Sequence, residues 1–258
     1  MTPTPTPPAP TTPASRWLRR GTPRPEAAAR LVCFPHAGGS ASFFGRWDAH
    51  LPGYELYAVC YPGRAARLAE PPPTDLPALA ADVAGELERL ADRPLVLLGH
   101  SMGAVVAYET ARLLEGRGVP VRHLYASGAR APQLARPDDG QDTSAMDDDA
   151  IADALLALGG TDAELLADPD FRELVLPYVC ADFRMFDRYV HRPEPLLGCP
   201  VTAIAGDADP QVGAGHAAAW SAVTSGPFRH HTVPGDHFYL ADRPPFGLLA
   251  SAEVPRAD

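Results

Sequence analysis

The apolar run Pro94-Leu95-Val96-Leu97-Leu98 leads directly into Gly99-His100-Ser101-Met102-Gly103, and Ala104 to Leu114 then carry a helical pattern. An unbroken apolar run of this kind predicts a central strand buried on both faces, as in a parallel sheet covered by helices. The five residues that follow form G-x-S-x-G, a sharp strand-to-helix turn that forces its serine into the open. Glycine on either side of Ser101 lets strand and helix approach without side-chain clashes. With 22 Gly in 258 residues, only about 0.06 such matches arise by chance in a chain of this composition. The strand before and the helix after decide the reading: Ser101 is a candidate nucleophile.

The rest of the chain alternates in the same way. Leu31 to Phe34, Tyr54 to Cys60, His123 to Ser127, Val201 to Ala205 and Phe228 to Val233 read as further strands. Leu76, Leu79, Val83, Leu87 and Leu90 recur at helical spacing between two of them. Between about Pro137 and Pro195 the strand signal disappears. An acidic helix start, Asp147-Asp148-Asp149, is followed by helical patterns through Leu155, Leu156, Leu158, Leu165 and Leu166, and by a helix from Phe171 to Tyr189. The expected organisation is a disordered Pro/Thr-rich tail over 1–25, an α/β core over 26–136 and 196–258, and a helical lid insertion over 137–195.

Composition narrows the function classes. A net charge of −10 argues against a nucleic-acid partner, which would call for a basic surface. No apolar run reaches the roughly 18 to 20 residues needed to cross a bilayer, and the N-terminus has no apolar stretch of a secretory signal. Cys33, Cys60, Cys180 and Cys199 lack CxxC spacing, so buried, reduced thiols and a cytoplasmic location are expected. Neither the cysteines nor the nine histidines show ligand spacing, so no metal is expected.

A nucleophilic serine needs a base, and the base needs an orienting group, here in the chain order serine, acid, histidine. The strand Val201 to Ala205 ends in Gly206-Asp207-Ala208-Asp209-Pro210, which offers two acids at a strand end. Gly206 starts the turn and Pro210 fixes the loop, which favours Asp209 over Asp207 as the orienting acid, against a reading of either one as a turn-former. His237 stands in the turn Pro234-Gly235-Asp236-His237-Phe238 after the last strand and is the candidate base. His230 and His231 lie within that strand, His216 in a helical stretch and His123 at a strand start. His100 is too close to Ser101 in the chain to bend back onto it and reads as a packing and hydrogen-bonding residue. Oxyanion donors are expected from the backbone N–H of Met102 and, in the loop His36-Ala37-Gly38-Gly39-Ser40, from that of Ala37. These features predict the α/β-hydrolase fold, a mostly parallel central sheet flanked by helices with a helical lid.

Five segments carry a narrower resemblance: Phe34-Pro35-His36-Ala37-Gly38-Gly39-Ser40, Tyr61-Pro62-Gly63-Arg64, Gly99 to Gly103, Gly206 to Pro210 and Gly235-Asp236-His237-Phe238. In this order they resemble the type II thioesterases, stand-alone enzymes that accompany modular polyketide synthases and nonribosomal peptide synthetases. Medium-chain thioesterases of animal fatty-acid synthesis are similar. The resemblance runs from about residue 30 to 245 and includes Ala181-Asp182-Phe183 in the lid. Cys180 departs from it, standing where an arginine commonly precedes that stretch.

The resemblance implies a triad of Ser101, Asp209 and His237, with oxyanion donors at Ala37 and Met102. It implies hydrolysis of acyl thioesters on the phosphopantetheine arm of acyl or peptidyl carrier protein domains. The role it implies is removal of stalled or wrong acyl groups in antibiotic-type biosynthesis, by a monomer. No cofactor is implied, since the substrate itself carries the phosphopantetheine. A general carboxylesterase or lipase of the same fold, or a cyclising, product-releasing thioesterase, are the alternatives. The tail and the absence of an upstream carrier domain weigh against the second. Carrier proteins are usually acidic, so a local basic patch at Arg64 and Arg67 is a candidate docking feature on this acidic chain, against solvated surface arginines. Phe43, Phe44 and Met185 are candidates for either a channel wall or the core.

Overall fold

A computed structural model describes residues 15–135, 147–157 and 163–250. Seven strands, β1 (Leu18–Arg20), β2 (Ala29–Phe34), β3 (Tyr54–Val59), β4 (Leu95–His100), β5 (Val121–Ser127), β6 (Val201–Gly206) and β7 (Phe228–Val233), form one sheet in the order β1-β3-β2-β4-β5-β6-β7. β1 runs antiparallel to β3 and every other neighbouring pair is parallel. The chain therefore leaves β2, β4, β5, β6 and β7 at one common edge of the sheet. All six residues of β4 are buried, as an apolar run covered on both faces requires.

The helix α1 (Leu76–Leu87) begins at Asp75, whose carboxylate accepts the N–H of Ala78 at 2.7 Å, with Pro77 in its first turn. Its apolar stripe Leu76, Leu79, Val83 and Leu87 is buried against α2 (Met102–Gly116) and the sheet. The opposite face is covered by short 3-10 turns around Phe44 and Trp47 and by the short C-terminal helices α7 (Tyr239–Asp242) and α8 (Phe246–Ala250). The short helix α6 (Ala214–Ala218) packs by β6 through Ala217.

Between β5 and β6 lie α3 (Asp148–Ala157), α4 (Ala163–Ala167) and α5 (Pro169–Asp187). They share a small core of Ile151, Leu155, Leu166, Leu176 and Val179, while Met185 and Tyr189 join the main core and anchor the end of α5. α5 starts at Asp168, whose carboxylate accepts the N–H groups of Asp170 and Phe171. Leu158 and the start of the expected lid, residues 137–146, lie outside the described residues.

One expectation is overturned. Residues 16–25 are not tail: Leu18–Arg20 pairs with β3, and Trp17 and Leu18 are buried. A three-residue strand is too short to leave a period in the sequence. Residues 1–14, the rest of that segment, lie outside the described residues. Cys33, Cys180 and Cys199 are buried free thiols, with Cys60 half-buried, and burial pushes Cys180 up to about 12. Among the described residues no helix is long and apolar enough to cross a membrane.

Candidate active site

Ser101 joins β4 to α2 with φ +53° and ψ −125°, a conformation that L residues rarely adopt. Its N–H donates to Ser127 C=O at 2.8 Å and its C=O accepts the N–H of Ala104 at 2.9 Å. The flanking glycines are there for lack of space. A Cβ on Gly99 would lie 2.1 Å from Gly103 O, and one on Gly103 would lie 2.3 Å from Phe34 O and 2.4 Å from Pro35 O. The elbow is thus pressed between its own helix and the loop that leaves β2.

The loops after β6 and β7 are zipped together. Asp207 N–H donates to Val233 C=O at 2.8 Å, Ala208 N–H to Gly235 C=O at 2.9 Å, and Gly235 N–H to the Asp207 carboxylate at 2.9 Å. Gly206 permits this, since a Cβ there would meet the carbonyls of Gly235 and Asp236 at 2.4 Å. Asp207 is accordingly a turn-former. Asp209 projects onward, its Oδ1 accepting the N–H groups of Gln211 (2.8 Å) and Val212 (3.1 Å). Its Oδ2 lies 2.9 Å from His237 Nδ1, and His237 Nε2 lies 3.1 Å from Ser101 Oγ.

Burial of the Asp209 side chain would raise its carboxyl. The His237 hydrogen bond and charge, with the two backbone N–H donors, outweigh this and hold it below the usual carboxylate range. An ionised Asp209 only accepts, so Nδ1 carries the proton. In its neutral form the ring offers Nε2 as an acceptor to the Ser101 hydroxyl, 3.1 Å away.

Two more imidazoles flank this line. His100 Nδ1 lies 3.0 Å from Ser127 Oγ, which lies 2.5 Å from Tyr239 OH. The half-buried His36 packs edge-on to Phe43 and Phe238, both with centroids at 4.9 Å. Desolvation, then the charges of His237 and Arg64, push His36 down to about 3. Desolvation, then His237 and His36, lower His100 well below its ordinary value.

The loop 36–39 accounts for its own polar groups unevenly. Gly39 N–H closes onto His36 C=O at 2.9 Å, and Gly38 N–H donates to Asp182 Oδ2 at 2.8 Å. The N–H groups of Ala37 and Met102 have no partner among the described residues. Both belong to segments that converge on Ser101.

The arginines of the expected docking patch are elsewhere than on the surface. Arg64 is 2% exposed: it forms a bidentate pair with Asp182 of α5 and lies over the rings of Tyr61 and Tyr178. Arg67 is buried, its guanidinium 3.9 Å from the Trp17 ring centroid and paired with Glu70. Neither a docking patch nor a solvated surface describes them, because a guanidinium stacked on aromatics and bound by carboxylates is no longer available to a partner. Phe44 and Met185 are core residues, whereas Phe43 is half-buried beside His36 and His100.

Asp182 is the residue that sequence reading left without a role. Its signal was present: a carboxylate between Val179 and Met185 on the buried stripe of α5 demands a buried cationic partner. Among the described residues no cluster of three or more His, Cys, Asp or Glu side chains could hold a metal ion. A cavity of about 1020 Å³ lies near the opposite strand ends, lined by Pro94, Val121, Val201 and Pro227, away from Ser101.

Comparison with known proteins identifies the family and the fold. Residues 29–248 match the family model of the thioesterase domain. The chain is 46% identical over 230 residues to Thioesterase PikA5 of Streptomyces venezuelae, covering 88% of this chain and 81% of that one. The structure of the type II thioesterase BorB from the borrelidin biosynthetic cluster superposes with a TM-score of 0.85 at 37% identity, covering 95% of this chain and all of the other. RedJ thioesterase from the prodiginine pathway of Streptomyces coelicolor gives 0.82 at 38% identity, covering 88% and 91%.

Proposed function

The chain belongs to the thioesterase family, in its type II branch, and on that premise we propose that it frees carrier-protein domains of acyl groups by hydrolysis through Ser101. The substrate is an acyl thioester on the phosphopantetheine arm of an acyl or peptidyl carrier domain. Stalled and aberrant acyl groups on a polyketide or nonribosomal peptide synthase are its natural cargo.

In the first step Ser101 Oγ attacks the thioester carbon while His237 Nε2 takes its proton. Asp209 holds the ring with Nδ1 protonated and stabilises the imidazolium that forms. The carbonyl oxygen becomes an oxyanion facing the N–H groups of Ala37 and Met102 and the N-terminus of α2. Collapse breaks the C–S bond, and the proton on His237 passes to the departing thiolate, leaving an acyl-serine and the free thiol. Water then attacks the acyl carbon with His237 again taking the proton. The second collapse returns that proton to Ser101 Oγ and releases a carboxylic acid. The phosphopantetheine belongs to the carrier, and the scheme calls for no other cofactor.

The observation that carries this reading is the line Asp209–His237–Ser101, with contacts of 2.9 and 3.1 Å, on an elbow that has no other evident use for its strain. Intact-protein mass spectrometry of an acylated carrier protein tests it. The acyl mass should disappear on incubation with the wild-type chain and persist with Ser101→Ala. A kcat/KM for p-nitrophenyl esters well above that for acyl-carrier thioesters would instead favour a general esterase.

A further inference from the structure

Three segments distant in sequence meet at one carboxylate beside the loop 36–39. α5 places Asp182, whose side chain is fully buried, so that Oδ2 accepts the N–H of Gly38 at 2.8 Å. Arg64 closes on the same carboxylate, Nη1 to Oδ2 at 2.5 Å and Nη2 to Oδ1 at 2.6 Å, and Nη1 also reaches Gly39 C=O at 3.2 Å. One helical turn before Asp182, Val179 Cγ2 stands 3.0 Å from where a Cβ on Gly38 would be, and Gly38 itself has φ +75°. No other residue type would let α5 approach so closely in that backbone conformation.

The loop is thereby pinned on both sides of Ala37. On the N-terminal side the carbonyls of Phe34 and Pro35 press on Gly103 of the elbow. On the C-terminal side Gly38 N–H is committed to Asp182 and Gly39 C=O to Arg64. Ala37 N–H, between these anchors, is left without a partner among the described residues. Arg64 also matters for charge: a carboxylate so near a developing oxyanion would oppose it unless neutralised on the spot.

Building on the proposed hydrolysis at Ser101, we propose that Asp182 is a positioning residue for the oxyanion loop. Through Gly38 N–H and Arg64 it holds Ala37 N–H on the reacting oxygen, and because it rides on α5 it does so only while that helix is docked. Docking of the lid helix and completion of the oxyanion site are then one event. Asp182 touches no reacting atom, and its effect falls on the transition state rather than on ground-state binding.

The test uses a small soluble acyl thioester and two analogues. One is a trifluoromethyl ketone thioether, which forms a tetrahedral adduct with Ser101; the other is the corresponding unreactive thioether. Asp182→Ala should lower kcat about 100-fold, at the lower end of what losing one oxyanion donor costs, with KM within about threefold of wild type. The ketone should weaken in parallel with kcat while the unreactive thioether does not. Asp182→Asn keeps an oxygen for Gly38 N–H but leaves the Arg64 charge uncancelled, and should recover part of the lost kcat. A buried ion pair with a merely structural role would lower the melting temperature without separating the two analogues.

Should Asp182→Ala not fold, the apolar pair Arg64→Met with Asp182→Leu takes its place, since buried ion pairs tolerate such replacement without loss of stability. The same split between analogues is expected of it. A folded variant of either kind with wild-type kcat, or one in which both analogues weaken equally, overturns the proposal. If the wild-type chain cleaves oxygen esters and no thioesters, the substrate assignment falls, and the same measurements with an ester still decide the role of Asp182.

Discussion

The elbow allows a sharp experiment, because the same small substitution should act in opposite directions at two glycines. A Cβ on Gly99 would lie 2.1 Å from Gly103 O and 2.4 Å from Ala104 Cα. The first contact is about 1.3 Å inside the 3.4 Å at which ordinary contact begins (3.4 − 2.1). Both obstructing atoms are backbone in the first turn of α2, so no rotamer change relieves the overlap. β4 and α2 must move apart, carrying Ser101 away from His237.

Overpacking of this kind typically costs about 1–3 kcal/mol, and a backbone-to-backbone obstruction belongs at the upper end. At roughly 2–4 °C per kcal/mol for a chain of this size, Gly99→Ala should melt about 6–12 °C lower. A displacement of about 1 Å at a nucleophile costs on the order of 100-fold in rate. Gly85 is the control: it is exposed in the interior of α1, and a Cβ there meets nothing within 4 Å. Gly85→Ala should raise stability by roughly 0.5–1 kcal/mol, since alanine loses less backbone freedom on folding, and leave kcat/KM alone. Differential scanning calorimetry and steady-state kinetics on a soluble thioester read both. If Gly99→Ala melts within 1 °C or so of wild type and keeps its kcat/KM, the steric account of the pentapeptide is wrong.

Two further outcomes follow from the carboxylates. Asp209→Asn removes the acceptor that fixes the His237 tautomer and should lower kcat by up to about 10⁴-fold, as in serine proteases, whereas Asp207→Asn only loosens a turn and should stay within about tenfold; equal losses in steady-state assays would contradict the assignment of Asp209. Glu55, fully buried, feels desolvation that would raise it, but Arg20, Arg30, Arg93 and the N–H of Arg24 outweigh this and hold it at about 2. Because that lies below the unfolded value of about 4.3, its contribution, on the order of 3 kcal/mol, is complete above pH ~4.3 and lost as pH falls towards 2. Urea midpoints should therefore fall steeply over that window for the wild-type chain. They should start lower and fall less for Glu55→Gln, and parallel curves for the two would refute the role.

What could be read in advance was what local pattern dictates. β4 and the elbow are legible because burial on both faces and the steric demand for Gly99 and Gly103 are written within ten consecutive residues. Asp209 and His237 are legible because both follow strands at their ends, and parallel strands deliver such residues to one edge. β1 was not: Leu18–Arg20 is stabilised by its neighbour β3, and three residues carry no period of their own. The arginines failed for a related reason. The sequence neighbourhood of Arg64 is an exposed-looking turn, and only a carboxylate 118 positions later, on α5, takes it into the interior.

The charge balance around His237 shows why those buried groups matter to the chemistry. The proposed reaction requires His237 to become an imidazolium twice per turnover, with two imidazoles (His36, His100) beside it and a cation (Arg64) that acts on His36. A second positive charge on either imidazole would oppose that step, and desolvation disfavours it: His36 is pushed down to about 3 and His100 well below its ordinary value. Arg64, which can never be neutral, is instead cancelled by Asp182 at 2.5 and 2.6 Å. Asp209, paired with His237 Nδ1 at 2.9 Å, carries the sign that stabilises the imidazolium formed in the proposed reaction. The Asp182 carboxylate thus serves two needs at once in the proposed scheme, holding the oxyanion loop through Gly38 N–H and cancelling the guanidinium that lies beside it.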